Sequence, residues 1–164
     1  LSIKEHLTPV YSINNSVNPQ DWNYTPCNDE SINQKIDVNE EANGYRIPKK
    51  EEWMIASRGG EDYRFPGSDT LANVGWYAAN SDKRSHEVAT KVPNGYGLYD
   101  MAGNVLEWVW DSNNIGNQKF FMGGCWNFSS MYAACDFGLI FYYPNYRSSW
   151  VGFRVVKNNY IFIL

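Results

Sequence analysis

Long apolar runs, cysteine and histidine are all scarce in this 164-residue chain, and each shortage excludes a class of protein. No stretch approaches 18 uninterrupted apolar residues, so the sequence contains no transmembrane segment. The 3 cysteines and 2 histidines form no C-x-x-C pair and no spacing suited to zinc. The odd number of cysteines also fails to define a disulfide framework, although Cys125 and Cys135 could pair with each other.

An excess of positive charge is missing as well. The formal net charge is −4 and the isoelectric point is about 5.1. A protein that binds nucleic acid by neutralising phosphates needs a basic surface, so we expect no nucleic-acid partner. Hydrophobic residues make up 43% and charged residues 20%, which is typical of a folded globular chain.

Aromatic residues are abundant, at 16% of the chain, with 7 Trp, 12 Tyr and 8 Phe. Such a surplus indicates an aromatic surface or a core built on aromatics. Regular elements are few, and the pattern predicts a loop-rich α+β fold. Pro48, the acids Glu51 and Glu52, and the stop at Gly59-Gly60 predict a helix over residues 48–58. Strands are predicted at Leu106–Trp110, Lys119–Met122 and Phe153–Val156.

Four motifs occur in order over residues 44–156. They are GYRIPKKEEW with ASRGG (residues 44–60), NGYGLYDMAGNVLEW (94–108), GGCW (123–126) and VGFR (151–154). Together they resemble the signatures of the formylglycine-generating enzyme, or sulfatase-modifying factor, family. The resemblance implies a C-type-lectin-like fold with a small twisted antiparallel sheet, few helices and long ordered loops. Within the motifs we expect Trp53, Trp108, Trp126 and Phe153 to be core anchors, and Arg46 and Arg154 to form structural ion pairs.

The resemblance predicts a single domain over 1–164 with four parts. Residues 1–43 match the family poorly, 44–124 form the scaffold, 125–151 are a variable region, and 152–164 are a closing strand and tail.

Two cysteines that the family's enzymes need are missing from this sequence. Those enzymes oxidise a substrate cysteine with a pair of cysteines that carry copper, placed two and seven residues after the aromatic of the third motif. Counted from Trp126, these positions hold Phe128 and Ala133. Neither side chain forms a thiolate or binds Cu(I), so we expect no copper and no enzymatic activity.

Residues 125–152 have a composition unlike the rest of the chain, with no Lys, Glu, Gln, His or Thr. Between Asn127 and Ser149, every residue except Met131 belongs to the set encoded by codons that end in C. This pattern resembles the variable proteins of diversity-generating retroelements, in which adenines of AAC codons are randomised. The GFRVV ending at 152–156 is also similar to a variable protein of this type.

The resemblance predicts a ligand-binding surface made of the diversified side chains, because solvent-facing loop positions tolerate change and aromatics give large contact areas at low entropy cost. The predicted binding residues are Cys125, Asn127, Phe128, Ser129, Ser130, Tyr132, Phe137, Leu139, Phe141, Tyr142, Tyr143, Asn145, Tyr146, Ser148 and Ser149. The alternative is that this segment is core, and burial is plausible for 133–134 and 140–141 in particular.

The family also implies a structural calcium ion beside the second motif. Carried over residue by residue, its ligands are the side chains of Asp100 and Glu107 and the carbonyls of Gly103 and Val105. Such oxygen ligands suit Ca²⁺. The alternative is that Asp100 caps the following turn and Glu107 pairs with an arginine.

The residues and the resemblance together therefore predict a non-catalytic, diversified binding protein. The resemblance implies that it lies at a bacterial cell surface or in the extracellular space, with an unknown protein or other surface molecule as its ligand. Two other functions are weighed: a copper-dependent thiol oxidase, and a fixed carbohydrate-binding lectin. The first lacks its cysteines, and the second lacks a recognisable sugar-binding calcium triplet.

Overall fold

The computed structural model describes residues 1–23, 35–113, 118–135, 137 and 140–157. It contains two helices, α1 (Lys50–Arg58) and α2 (Leu71–Val74). The strands are β1 (Tyr11–Ile13), β2 (Ile36–Val38), β3 (Tyr45–Arg46), β4 (Gly75–Trp76), β5 (Ala102–Gly103), β6 (Leu106–Ser112), β7 (Lys119–Met122), β8 (Ile140–Tyr142), β9 (Val151–Gly152) and β10 (Val156–Lys157). Short 3₁₀ helices lie at Ile3–Glu5, Pro19–Trp22 and Ser130–Ala133. No helix in the described ranges is long and apolar enough to span a membrane.

The chain divides into two compact units. One comprises Leu1–Ile47 and Val155–Leu164, and the other Pro48–Arg154. The first unit contains two small antiparallel sheets, β1 with β2 and β3 with β10. The second contains both helices and the other strands. The predicted single domain, with parts that meet near residues 43 and 152, stays a prediction.

Helix α1 confirms the one helix that the sequence predicts. It begins at Lys50, after the N-cap residue Lys49, whose backbone N–H donates to Glu52 Oε2 at 2.7 Å. This capping-box contact satisfies an N–H that has no partner within the helix. Gly59, at φ +61°, ends the helix, as its left-handed conformation requires. Trp53 and Ser57 form the buried side of α1.

A four-stranded sheet, in the order β8-β7-β6-β9, is the centre of the second unit. Strands β6 and β7 are antiparallel, β7 and β8 are antiparallel, and β9 runs parallel to β6. The predicted strands at 106 and 119 are confirmed, the first extended to Ser112. The structure thus has the few helices, short strands and long loops expected of the α+β, C-type-lectin-like class.

The two faces of this sheet pack against different parts of the chain. On one face, Val109 and Met122 pack with Trp53 of α1 and with Met101. On the other, Leu106 and Phe121 pack with Cys125 and a group of partly buried aromatic side chains from residues 128–150. The segment that the sequence singles out as variable therefore contributes most of the aromatic side chains that pack on this face of the sheet.

The predicted strand at Phe153–Val156 is wrong. Strand β9 ends at Gly152 and β10 begins at Val156, with irregular chain between them. Phe153, expected as a core anchor, has 66% of its surface exposed, whereas Trp53 is only 2% exposed. Arg154 is partly buried and forms an ion pair with Glu107, and residues 153–155 between the two strands have no strand pairing.

Gly103 shows why the second motif needs glycine at this position. Strand β5 runs parallel to β4, with Gly103 opposite Trp76 at φ +74°. A Cβ atom on residue 103 would collide with the carbonyl oxygen of Trp76. The close approach of the two strands and the positive φ both exclude a side chain here.

Candidate functional site

Strand β8 carries the centre of the predicted binding segment at the outer edge of the four-stranded sheet. Its side chains alternate, as in any strand. Ile140 and Tyr142 pack toward the aromatic face, while Phe141 and the following Tyr143 are 47% and 57% exposed. Phe141 also lies edge-on to Phe120 of β7, with ring centroids 6.1 Å apart. Consecutive aromatic residues therefore have different roles.

The half-buried aromatic rings meet around Trp150. Tyr142 and Tyr146 are stacked, with centroids 4.2 Å apart and planes at 19°. Trp150 lies 6.0 Å from Tyr142 and 5.3 Å from Tyr146. Phe121 of β7 contacts the two tyrosines edge-on, at 5.8 and 6.4 Å. These geometries are the favourable ones for aromatic pairs, so the rings fix the conformation of residues 142–150.

A second arm of rings reaches Trp150 from the 3₁₀ helix at Ser130–Ala133. Phe128 lies 5.5 Å from Trp150 and 4.9 Å from Tyr132. Tyr132 in turn lies 4.6 Å from Phe137. The rings of Phe121, Phe128, Tyr132, Phe137, Tyr142, Tyr146 and Trp150 thus form one continuous group, which we call the ring cluster.

The predicted binding residues fall into groups by exposure. The exposed set comprises Asn127, Ser129, Phe141, Tyr143, Asn145 and Ser149. The half-buried residues are Phe128, Ser130, Tyr132, Phe137, Tyr142, Tyr146 and Ser148. Leu139 lies outside the described residues. Met131, which the codon pattern left out of the predicted surface, is 53% exposed.

Cys125 must be removed from the predicted surface. Its side chain is 1% exposed and packs with Leu106 and Phe121 in the core. The thiol donates to Asn127 Oδ1 at 3.0 Å, and burial raises its pKa to about 11. A ligand cannot reach this side chain in the folded protein. Cys135 is buried as well, and no disulfide joins these two cysteines.

The structure places no thiol where the family's copper-binding cysteines would stand. Phe128 is part of the ring cluster, and Ala133 is buried at 2% exposure. The thiol of Cys135 lies 3.9 Å from the hydroxyl of Ser57, which is fully buried. A thiol that exchanges with a substrate must be accessible and readily ionised. Neither of the two described cysteines meets these requirements.

The predicted calcium ligand Glu107 is engaged by other groups. Its carboxylate is buried and accepts hydrogen bonds from Arg154 Nε at 2.5 Å and Nη2 at 2.7 Å. The indole of Trp53 donates to the same carboxylate at 2.7 Å. This is a bidentate, charge-assisted pair, and it makes Arg154 the structural ion-pair residue that the sequence predicts. A calcium ion would have to share Glu107 with a guanidinium that already neutralises it.

Asp100 offers better support for a cation. Its Oδ2 accepts from the backbone N–H of Ala89 at 2.8 Å, whereas its Oδ1 is buried with no hydrogen-bond partner in the described structure. Buried carboxylate oxygens without partners are costly and rare. In the described ranges, no three Asp, Glu, His or Cys side chains gather to hold a metal ion. The predicted ligand set therefore fits calcium at Asp100 but not at Glu107 as it is paired here, and calcium stays a prediction.

Residues 11–159 match the family model described as sulfatase-modifying factor enzyme 1-like domain. Treponema denticola variable protein 1 superimposes with a TM-score of 0.79 at 34% identity, over 94% of this chain and 64% of that one. The structure of CarF gives a TM-score of 0.77 at 29% identity, over 95% of this chain and 61% of that one.

The proteins similar to this chain in sequence include one named as a chaperone and others named as enzymes. Chaperone protein LppX of Paenibacillus barcinonensis is 32% identical over 130 residues, which are 67% of this chain and 45% of that protein. Formylglycine-generating enzyme of Thermomonospora curvata is 36% identical over 83 residues, which are 42% of this chain and 27% of the enzyme. The chain thus spans less than half the length of these two relatives. It belongs to the sulfatase-modifying factor family, that of formylglycine-generating enzyme, and is similar in fold to a variable protein.

Proposed function

We propose that this domain binds a ligand without catalysis, through side chains of residues 127–149 that a retroelement diversifies. The observation that carries the proposal concerns the two positions at which the family's enzymes have cysteines. Here they hold Phe128, which is packed in the ring cluster, and the buried Ala133. The same segment presents the large exposed aromatics Phe141 and Tyr143. A surface of this kind suits recognition, because Tyr and Phe give contact area at low entropy cost.

The likeness to Treponema denticola variable protein 1 supports the diversified function over the enzymatic one. We further propose display at a bacterial cell surface, where the partner would be a protein or another surface molecule. A fixed carbohydrate-binding lectin is the alternative binding function. It would also use exposed aromatics, but its ligand would be the same in every isolate.

The test is to sequence the 3′ end of this gene, with its flanking DNA, in many isolates of its source. Substitutions confined to codons 127–149, together with a nearby template copy and a reverse transcriptase, would support diversification. Codons 44–124 serve as the internal control and should be constant. An unchanging segment with no template would contradict diversification and leave a fixed binding site.

The absence of catalysis needs its own assay. The purified chain, loaded with Cu(I), is incubated in air with a cysteine-containing peptide, and the peptide is analysed by mass spectrometry. We expect that the cysteine of the peptide is not converted to an aldehyde. Aldehyde formation that disappears in a variant with Cys125→Ser and Cys135→Ser would contradict the proposal.

A further inference from the structure

We infer that specificity for the ligand resides in the exposed set, and that the ring cluster beneath it must stay aromatic for the domain to fold. The inference rests on the proposed function. It divides a segment that looks uniform in sequence into positions that can change and positions that cannot. The exposed set is Asn127, Ser129, Phe141, Tyr143, Asn145 and Ser149.

Trp150 is the residue around which the ring cluster is organised. Its ring contacts Phe128 from one arm of the segment and both Tyr142 and Tyr146 from the other. Trp126 adds a second link between the arms, because its indole donates to the carbonyl of Ser149 at 3.3 Å. Trp150 stands directly after the run in which every residue but Met131 is one that codons ending in C can encode, and tryptophan is outside that set. The hub of the cluster is therefore also outside the diversified positions.

The diversified members of the cluster cannot change freely, since each ring fills space against at least one other ring. Tyr142 is the strongest case, because it is stacked on Tyr146 and lies edge-on to both Phe121 and Trp150. Removing such a ring leaves a void that its neighbours fill only partly. Selection for a folded protein should therefore keep aromatics at these positions, even where randomisation reaches their codons.

The exposed set makes no ring contact with the ring cluster in the described structure, although the ring of Phe141 lies edge-on to Phe120, which is outside the cluster. Tyr143 contacts no other ring in the described structure, although it lies one residue from Tyr142. Ser149 contributes its backbone carbonyl to Trp126, which any residue can supply. Asn127 accepts a single hydrogen bond from the thiol of Cys125, and thiols are weak donors. Exchange at these positions changes what the surface offers a ligand and leaves the cluster intact.

The experiment compares two libraries of the full chain displayed on yeast. One randomises the six positions of the exposed set. The matched library randomises six ring-cluster positions: Phe128, Tyr132, Phe137, Tyr142, Tyr146 and Trp150. Folding is measured by resistance of the displayed chain to protease, and binding by selection against hen egg-white lysozyme as a defined probe.

We expect most clones of the first library to be protease-resistant and roughly one in ten or fewer of the second, because cores lose unique packing under arbitrary substitution. Lysozyme binders should come from the first library. Equal resistance of the two libraries, or binders that come from the second, would overturn the inference and leave the proposed function standing. A well-folded first library without any binder would instead count against the proposed binding function and, with it, against the assignment of specificity.

Conservative variants of one selected lysozyme binder test whether Tyr142 also holds the exposed set in its binding conformation, apart from its effect on the stability of the fold. At a temperature where all variants are folded, Tyr142→Phe should keep lysozyme affinity within about threefold, and Tyr142→Leu should weaken it about tenfold or more, since only a planar ring restores the stack. Equal affinities for the Phe and Leu variants would show that aromatic character at this position does not matter for the surface.

Discussion

The two faces of the β8-β7-β6-β9 sheet are held by different kinds of interaction. The face toward α1 combines close apolar packing of Trp53 and Met122 with an ion pair between the buried Glu107 and the partly buried Arg154. The other face has ring-to-ring contacts, organised around Trp150. All the residues named on the first face come from the family motifs or the strands next to them. One face of the sheet therefore depends on a specific ion pair and close packing, while the other depends largely on contacts between aromatic rings.

The largest effect on stability should come from breaking the Glu107–Arg154 ion pair on the face toward α1. Arg154→Leu leaves the carboxylate of Glu107 buried, and we expect a loss of about 3–5 kcal/mol in the free energy of unfolding. Urea denaturation measures it. Lys35→Met is the control, because the Lys35–Asp37 pair is exposed and its removal should change little. A loss below about 1 kcal/mol for the arginine variant would mean that the pair is not what holds this face.

The next largest effect on stability should distinguish two neighbouring tyrosines, Tyr142 in the ring cluster and Tyr143 in the exposed set. Tyr142→Ala should cost about 2–3 kcal/mol, because it removes a stacked ring, whereas Tyr143→Ala should cost less than about 0.5 kcal/mol. Sequence alone treats these two tyrosines as equivalent binding residues. Thermal and urea unfolding of the single variants test the difference. Equal losses for the two would merge the ring cluster and the exposed set into one group.

A smaller effect concerns calcium at Asp100. If the ion satisfies the buried Oδ1, then 5–10 mM Ca²⁺ should stabilise the protein by about 1–3 kcal/mol relative to EGTA, by mass action at a site of modest affinity. Asp100→Asn should abolish the difference between the two buffers, and Mg²⁺ serves as the control ion. If the melting temperature is the same in calcium and in EGTA, Asp100 acts only through its hydrogen bond from Ala89.

The smallest effect is a pH dependence from Cys125. Burial raises its pKa from 9.0 to about 11, so the neutral thiol is favoured in the folded state. The stability that this shift contributes is fully present below pH 9 and is lost as the pH rises from about 9 towards 11. The wild type should therefore lose more stability over this range than Cys125→Ala. Parallel curves for the two proteins would contradict the shift.

Local signals in the sequence were enough for α1 and for two strands, because capping residues, glycine stops and short apolar runs act within a few positions. The strand expected at Phe153–Val156 failed, since strand bounds depend on backbone partners far away in the chain: β9 ends at Gly152, beside Glu107, and β10 begins at Val156, beside Arg46. The split between Tyr142 and Tyr143 was equally hidden. In a three-residue strand within an irregular segment, no periodicity shows which side chain faces inward.

The range of residues in the candidate site could be predicted from the sequence, but the burial and the partners of individual side chains could not. Composition singled out the segment, whose role as a binding site stays a prediction, and the motif spacing identified Phe128 and Ala133 as the positions without thiols. It could not place Cys125 in the core, because burial there depends on Leu106 and Phe121 in neighbouring strands. The sequence predicted an ion pair for Arg154 and offered an arginine as a partner for Glu107, but it did not identify these two residues as each other's partners. Both facts depend on contacts between residues far apart in the chain.

The register of β7 and β9, which pair with β6 on opposite sides, has a consequence for the length of the segment that joins these two strands. Met122 of β7 and Gly152 of β9 are both paired with Glu107, one on each side. Strands in a sheet lie roughly 4.8 Å apart, so the two ends of residues 123–151 are fixed about 10 Å from each other. Closing a loop between fixed ends costs only about 0.6 kcal/mol more for each doubling of its length. Insertions and deletions in this segment should therefore cost little where they spare β8 and the ring cluster, so the length of the segment can change as well as its side chains.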